Sequence, residues 1–129
     1  MAHDLRYVRV EQIVPPSPTI GETPWTGLVI GWAMMFGWQV NHQRPARRKD
    51  GSWRTATEGH VGFPDLTLAH PRHGVVFSEL KSHRGKLSAD QETWRDTILA
   101  GGGVWYLWKP ADFDEVMAVL TEGPSRVPS

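Results

Sequence analysis

Asp65, Glu79 and Lys81 are the residues of this 129-residue chain whose types and spacing could do chemistry. Glu79 and Lys81 lie two apart in VVFSELK (75–81), a run that reads as a strand, so they share one face of it. Asp65 begins the run before it, the alternating PDLTLAH (64–70), and PRHG (71–74) between the two is turn chemistry. Together they predict a hairpin turning near residues 72–73, with Asp65 roughly opposite residues 79–81. An even pairing register puts Asp65 on the face of Glu79 and Lys81; an odd one puts it on the other, and the sequence leaves both open.

In the even register two carboxylates and an ammonium meet at one end of the hairpin. These strands should be central in a small domain, where charges are costly unless paired or bound to metal. Neighbouring carboxylates repel, and a divalent cation relieves this. Hard oxygen ligands suit Mg²⁺ or Mn²⁺. Such an ion polarises a phosphate oxygen and lowers the pKa of an attacking water. Lys81 would orient that water or stabilise the charge developing on phosphorus. A structural ion pair at a strand end accounts for the same residue types, because E-x-K is a common triplet.

The elements that must position these residues follow from local signals. Thr23-Pro24 predicts a helix start, with Thr23 as N-cap and Pro24 in the first helical position. Trp25, Leu28, Val29, Trp32 and Met35 or Phe36 recur at helical spacing as its buried stripe, and Gly37 stops it. WQVNH (38–42) predicts a short strand, and the polar, basic residues 43–59 a loop. After the hairpin and the loop SHRGKL (82–87), Ser88 and Gln91 form a capping-box pattern that begins a helix. Trp94, Ile98 and Leu99 should be its buried stripe. The Gly101–Gly103 run ends it, and VWYLW (104–108) predicts a buried strand. A last amphipathic helix covers 111–121, with Phe113, Val116, Met117 and Leu120 inward. Helices interleaved with strands predict an α/β fold, a mixed sheet flanked by helices. Residues 1–21, with Pro15, Pro16 and Pro18, are expected as an extended arm, 22–122 as the domain, and 123–129 as a flexible tail.

The chain is long enough for one domain with its own core, and its 40% apolar and 22% charged content fits that. Seven Trp predict aromatic packing in the core or along a cleft. The absence of Cys excludes disulfides and thiolate metal sites. No apolar run approaches the roughly 20 residues that span a bilayer, so no membrane association is expected. Net charge is zero but unevenly spread. Residues 44–86 carry nine Lys or Arg against four acids, and residues 87–122 carry seven acids against two bases. A cleft or dimer could present the basic part to phosphates; two ordinarily solvated faces are the alternative.

The segments Gly62-Phe-Pro-Asp-Leu66, Ser78-Glu-Leu-Lys81 and Gly85-Lys-Leu-Ser-Ala-Asp-Gln91, in that order, resemble the VRR-NUC branch of the PD-(D/E)xK nuclease superfamily. Pro64-Asp65 matches its "PD", Glu79-Leu80-Lys81 its "(D/E)xK", and Gln91 the glutamine that follows in this branch. The similarity continues through Trp94, the glycine run and Val104–Trp108. Upstream, Gly37-Trp38 and His42 with the arginines after it resemble the family's first helix, strand and basic loop, so residues 22–120 are covered.

The resemblance implies a restriction-endonuclease-like αβββαβ core and Mg²⁺- or Mn²⁺-dependent hydrolysis of DNA phosphodiesters, often branched or structured DNA cut by a homodimer. Asp65 and Glu79 would bind the metal, the Leu80 carbonyl would add a ligand, and Lys81 would be the catalytic lysine. Similar small stand-alone members are phage or bacterial, which implies the cytoplasm of a bacterial or phage-infected cell. The family's first helix usually carries a glutamate at the metal site. Glu22 fills that role only if the helix starts before Thr23 or an extended residue reaches the site; otherwise it is a surface residue. Gln91 is an active-site residue by resemblance and a capping partner of Ser88 by local physics.

Arg44, Arg47, Arg48, Lys49 and Arg54, with Trp53 among them, form a basic loop suited to phosphate contacts and base stacking, or else a solvated loop. Arg84 and Lys86 flank the active-site strand and could contact backbone phosphates. His42 and His60 are the histidines expected to face the cleft; no zinc spacing is present. The leading expectation is a metal-dependent endonuclease. Its rivals are a catalytically inactive DNA-binding or assembly module with the same fold, and a hydrolase of a small phosphorylated substrate.

Overall fold

Glu22–Met35 form the first helix, α1. The computed structural model describes residues 10–43, 46–47, 53–54 and 57–125, the two short pairs by backbone only. α1 starts two residues before the expected position, with Gly21 as N-cap in extended conformation and the first helical bond from Trp25 N–H to the Gly21 carbonyl at 3.0 Å. Pro24 is harmless there, because the first four helical N–H groups have no intrahelical acceptor in any case. At the other end Gly37 is left-handed (φ 90°). Its N–H bonds Met34 and that of Trp38 bonds Ala33, which satisfies two free carbonyls in a Schellman turn.

The strands are β1 (Gln39–His42), β2 (Ala46–Arg47), β3 (Trp53–Arg54), β4 (Leu66–His70), β5 (Gly74–Leu80) and β6 (Val104–Trp108). The main sheet has the order β1-β4-β5-β6, with β5 and β6 parallel and the other neighbours antiparallel. β2 and β3 form a two-residue antiparallel ladder within the segment expected as a loop. α2 (Ala89–Ala100) connects β5 to β6, and α3 (Phe113–Glu122) follows a short 3₁₀ turn at Pro110–Asp112. The molecule is therefore a mixed α/β fold: a four-stranded mixed sheet flanked by helices.

One face of the sheet carries the core. Leu66, Leu68, Val76 and Leu80 alternate toward it and pack with Trp25, Val29, Trp32 and Ala33 of α1 and Val116, Met117, Val119 and Leu120 of α3. Trp25 Nε1 donates to the Trp108 carbonyl (3.0 Å) and Trp38 Nε1 to the Leu120 carbonyl (2.9 Å), so these two core indoles keep a partner for their N–H. Leu28 is not part of this core. α1 is apolar nearly all round, so residue types alone did not define its inner face, which is rotated to bury Thr26 and Ala33 with Trp25, Val29 and Trp32.

The opposite face is thinly covered. No residue of α2 is buried, and Leu99 is exposed where it was expected inside. β6 is an edge strand, which leaves all of it but Trp108 half-buried, against the expectation of a buried strand. The expected N-terminal arm is also partly packed: Ile13 and Ile20 rest on the core. Residues 1–9 of that arm and 126–129 of the tail lie outside the described residues. Among the described residues no helix is long and apolar enough to cross a membrane.

Candidate active site

The hairpin register decides the site. Leu66 pairs with Ser78 and His70 with Gly74, the even register. Continued one position, it sets Asp65 opposite Glu79. The Asp65 carbonyl accepts from Gln43 N–H at 2.8 Å, on the side of β1, so Asp65 and Glu79 form a non-hydrogen-bonded pair, the kind whose side chains approach most closely. Asp65 Oδ2 accepts from Leu80 N–H at 2.9 Å. Along an extended strand the N–H and C=O of one residue point to the same side, so the Leu80 carbonyl also faces Asp65.

Glu79 is only 1% exposed. Its Oε1 accepts from Gln91 Nε2 at 3.0 Å, and its Oε2 is buried with no protein donor. Its pKa is pushed up to about 9, first by burial, then by hydrogen bonding to and repulsion from the Asp65 carboxyl; Lys81 opposes this and Glu22 adds to it. A proton shared between the two acids stabilises the pair, and so would a cation. Because α1 begins at Glu22, that side chain is also within electrostatic reach. Its pKa is raised by desolvation, with Lys81 lowering it and Asp65 raising it. Glu22 remains solvent-exposed at the rim.

Further contacts build the site. The Trp108 carbonyl accepts from both Trp25 Nε1 (3.0 Å) and Lys81 N–H (3.1 Å), tying the start of α1 to the backbone of Lys81. Gly85 lies against Lys81: a Cβ there would fall 2.9 Å from Lys81 Cβ and 3.1 Å from its Cδ. Ahead of Asp65, Gly62 is left-handed (φ 90°) and so close to α2 that a Cβ would fall 2.7 Å from Asp90. Trp94 Nε1 donates to the Val61 carbonyl (3.0 Å), and Phe63 packs edge-on against Trp94 and Phe77. Pro64 is fully buried. The segment leading into Asp65 is thus clamped to α2, the helix that carries Gln91.

The structure brings together Asp65, Glu79, Leu80, Lys81 and Gln91, with Glu22 beside them. Gln91 fills both expected roles: its Oε1 accepts from Ser88 N–H (2.8 Å) in the capping box while its Nε2 holds Glu79. Arg84 and Lys86 are exposed on the loop after β5. Arg44, Arg48 and Lys49 lie outside the described residues, and Arg47, Trp53 and Arg54 are described only as backbone in the β2–β3 ladder. His60 lines a pocket beside the site, while His42 is a half-buried residue of β1. Trp25, Gln43, Gly62 and Gly85 escaped sequence reasoning as site-building residues. Gly62 and Gly85 mark where backbone must come close, a signal visible only once the neighbours are placed.

The donor set suits a hard divalent ion: two facing acids, one with an unpartnered buried oxygen, and a backbone carbonyl directed at them. Among the described residues no three His, Asp or Glu side chains stand close enough to hold an ion by themselves, so the Leu80 carbonyl, water or substrate oxygens would complete the shell. No protein-family model matches the sequence, and no curated protein or solved structure shows significant similarity to it.

Proposed function

We propose that this protein is a metal-dependent nuclease that hydrolyses DNA phosphodiester bonds, similar to the VRR-NUC nucleases and built on their restriction-endonuclease-like core. The observation that carries this reading is the buried Glu79, its Oε2 without a donor, facing Asp65 beside Lys81. A structural ion pair would not set two acids face to face, an arrangement whose repulsion only a shared proton or a bound cation relieves.

Asp65, Glu79 and the Leu80 carbonyl would hold Mg²⁺ or Mn²⁺, with Glu22 joining from the rim. Bound there, the ion supplies Lewis acidity at the scissile phosphate and lowers the pKa of the attacking water. Gln91 fixes the Glu79 carboxylate. Lys81 orients the water and balances the negative charge that builds on the phosphate oxygens as the water oxygen bonds to phosphorus and the P–O bond to the leaving strand breaks. The leaving alkoxide takes up a proton as the strand departs. Arg84 and Lys86, with the basic 44–54 segment, suit the flanking phosphates of branched or structured DNA, cut by a homodimer.

The test is cleavage of branched and linear DNA with Mn²⁺ or Mg²⁺ against EDTA. Cutting that Asp65→Asn and Lys81→Ala each abolish, with fold retained by circular dichroism, supports the reading. A folded protein that leaves every such DNA intact overturns it. The second reading, an inactive DNA-binding or assembly module, is favoured by the exposed position of Glu22 and by the lack, among the described residues, of three converging side-chain ligands. Calorimetric titration separates the two: no divalent binding lost on Asp65→Asn favours the module.

A further inference from the structure

Next to the acidic cluster lies a pocket of about 510 Å³ walled by Gln43, Glu58, His60, Phe63 and Trp94. Three of its lining residues are linked to the site. Gln43 bonds the Asp65 carbonyl, Phe63 precedes Asp65 by two residues, and Trp94 follows Gln91 by one helical turn. The rings of Phe63 and Trp94 meet edge to face, 5.0 Å between centroids. The Trp94 indole N–H is committed to Val61, so what Trp94 lends the pocket wall is its aromatic ring carbons. Exposed Glu58 and His60 add a hydrogen-bond acceptor and a ring that can both donate and accept.

The Glu58 carboxylate in the wall disfavours a phosphate there. A stacked, paired base cannot enter, because its faces are covered and only its edges reach the grooves. An unpaired base has free π faces, and aromatic side chains hold such bases with little regard to sequence. Its amino groups find acceptors in Glu58 and Gln43.

We propose that this pocket takes one unpaired nucleobase adjacent to the phosphodiester at Asp65 and Glu79, and so selects DNA with unpaired nucleotides over intact duplex. The identity of the polymer rests on the nuclease reading; the preference for an unpaired base rests on the pocket.

The full chain is titrated in EDTA, where nothing is cut, with a splayed-arm DNA carrying 2-aminopurine at each of the first unpaired positions in turn, and with the matched duplex. Cleavage of the splayed DNA in Mn²⁺ is then compared with that of DNA abasic at the responding position. The expected result is a fluorescence change with splayed DNA alone, and a KM raised about tenfold by the abasic site with kcat nearly unchanged. Trp94→Leu should weaken the fluorescence response. If that variant does not fold, Glu58→Gln combined with His60→Ala, both at exposed positions, should weaken it instead. Equal responses from duplex and splayed DNA, or equal KM with and without the base, overturn the pocket. A base-dependent response in a protein that cuts no DNA overturns the nuclease reading and supports the pocket.

Discussion

Gln91 donates from Nε2 to Glu79 Oε1 at 3.0 Å while its Oε1 is held by the N–H of Ser88 at 2.8 Å. The helix cap thereby aims the amide at the buried acid, and local secondary structure and site geometry use the same side chain. The two roles separate by mutation. Ser88→Ala should cost about 1 kcal/mol of stability with cutting largely kept. Gln91→Ala should cost a similar amount and lower Mn²⁺-dependent cutting about 10- to 100-fold. Thermal melts and initial rates on the two variants measure this; equal loss of activity in both would reduce Gln91 to a cap.

Glu79 makes the stability of the metal-free protein depend on pH. Its folded-state pKa of about 9 lies above the ordinary 4.5, so between those values the native state holds a proton that the unfolded chain releases. Stability from this group is therefore complete below about pH 4.5 and falls as pH rises toward 9. Urea midpoints in EDTA should decline across that window, and Glu79→Gln should flatten the decline. Mn²⁺ binding at neutral pH should expel a proton, seen as a calorimetric heat that varies with the buffer's ionisation enthalpy.

Gly85→Ala should impair the chemistry more than the fold. The added Cβ meets Lys81 near its base, at Cβ and Cδ, and not at its flexible tip. The ammonium must shift, and in the catalytic role proposed for Lys81 a small misplacement costs up to about 100-fold. The expected outcome is kcat reduced tenfold or more, with KM for DNA and the melting temperature close to wild type. Steady-state kinetics beside a melt checks it.

Gly62→Ala should act on both. It forces a side chain onto left-handed backbone and into Asp90, for a loss of about 1–3 kcal/mol. It also loosens the clamp that delivers Asp65. Urea unfolding gives the stability term, and Mn²⁺ affinity measured at a denaturant-free, fully folded point gives the site term.

Glu22→Gln tests the reach of α1. Removing a neighbouring negative charge should lower the Glu79 pKa, making the pH-dependent loss of stability shallower. It should also weaken Mn²⁺ binding. An unchanged slope would place Glu22 outside the cluster.

The order of the main elements, the hairpin and the Ser88 cap were legible in the sequence. Each rests on short-range signals: a strand's alternation, turn residues, a cap followed three positions on by its partner. The grouping of Asp65, Glu79, Lys81 and Gln91 was left open by spacing and was expected only from the resemblance. The inner face of α1 was not legible, because an apolar helix carries no polar side to orient it. Nor was the thin cover over α2 and β6, since apolar content does not say which strand lies at the edge.

Sequence alone determined which charged side chains stand on the two hairpin strands, because side-chain type and period are written locally. Tertiary structure alone decided that they meet. Hairpin parity placed Asp65 against Glu79, the early start of α1 brought in Glu22, and the left-handed Gly62 and the close-packed Gly85 let α2 and the loop close over the site. Register and close approach are relations between distant segments, set by packing the whole core, and no local pattern records them.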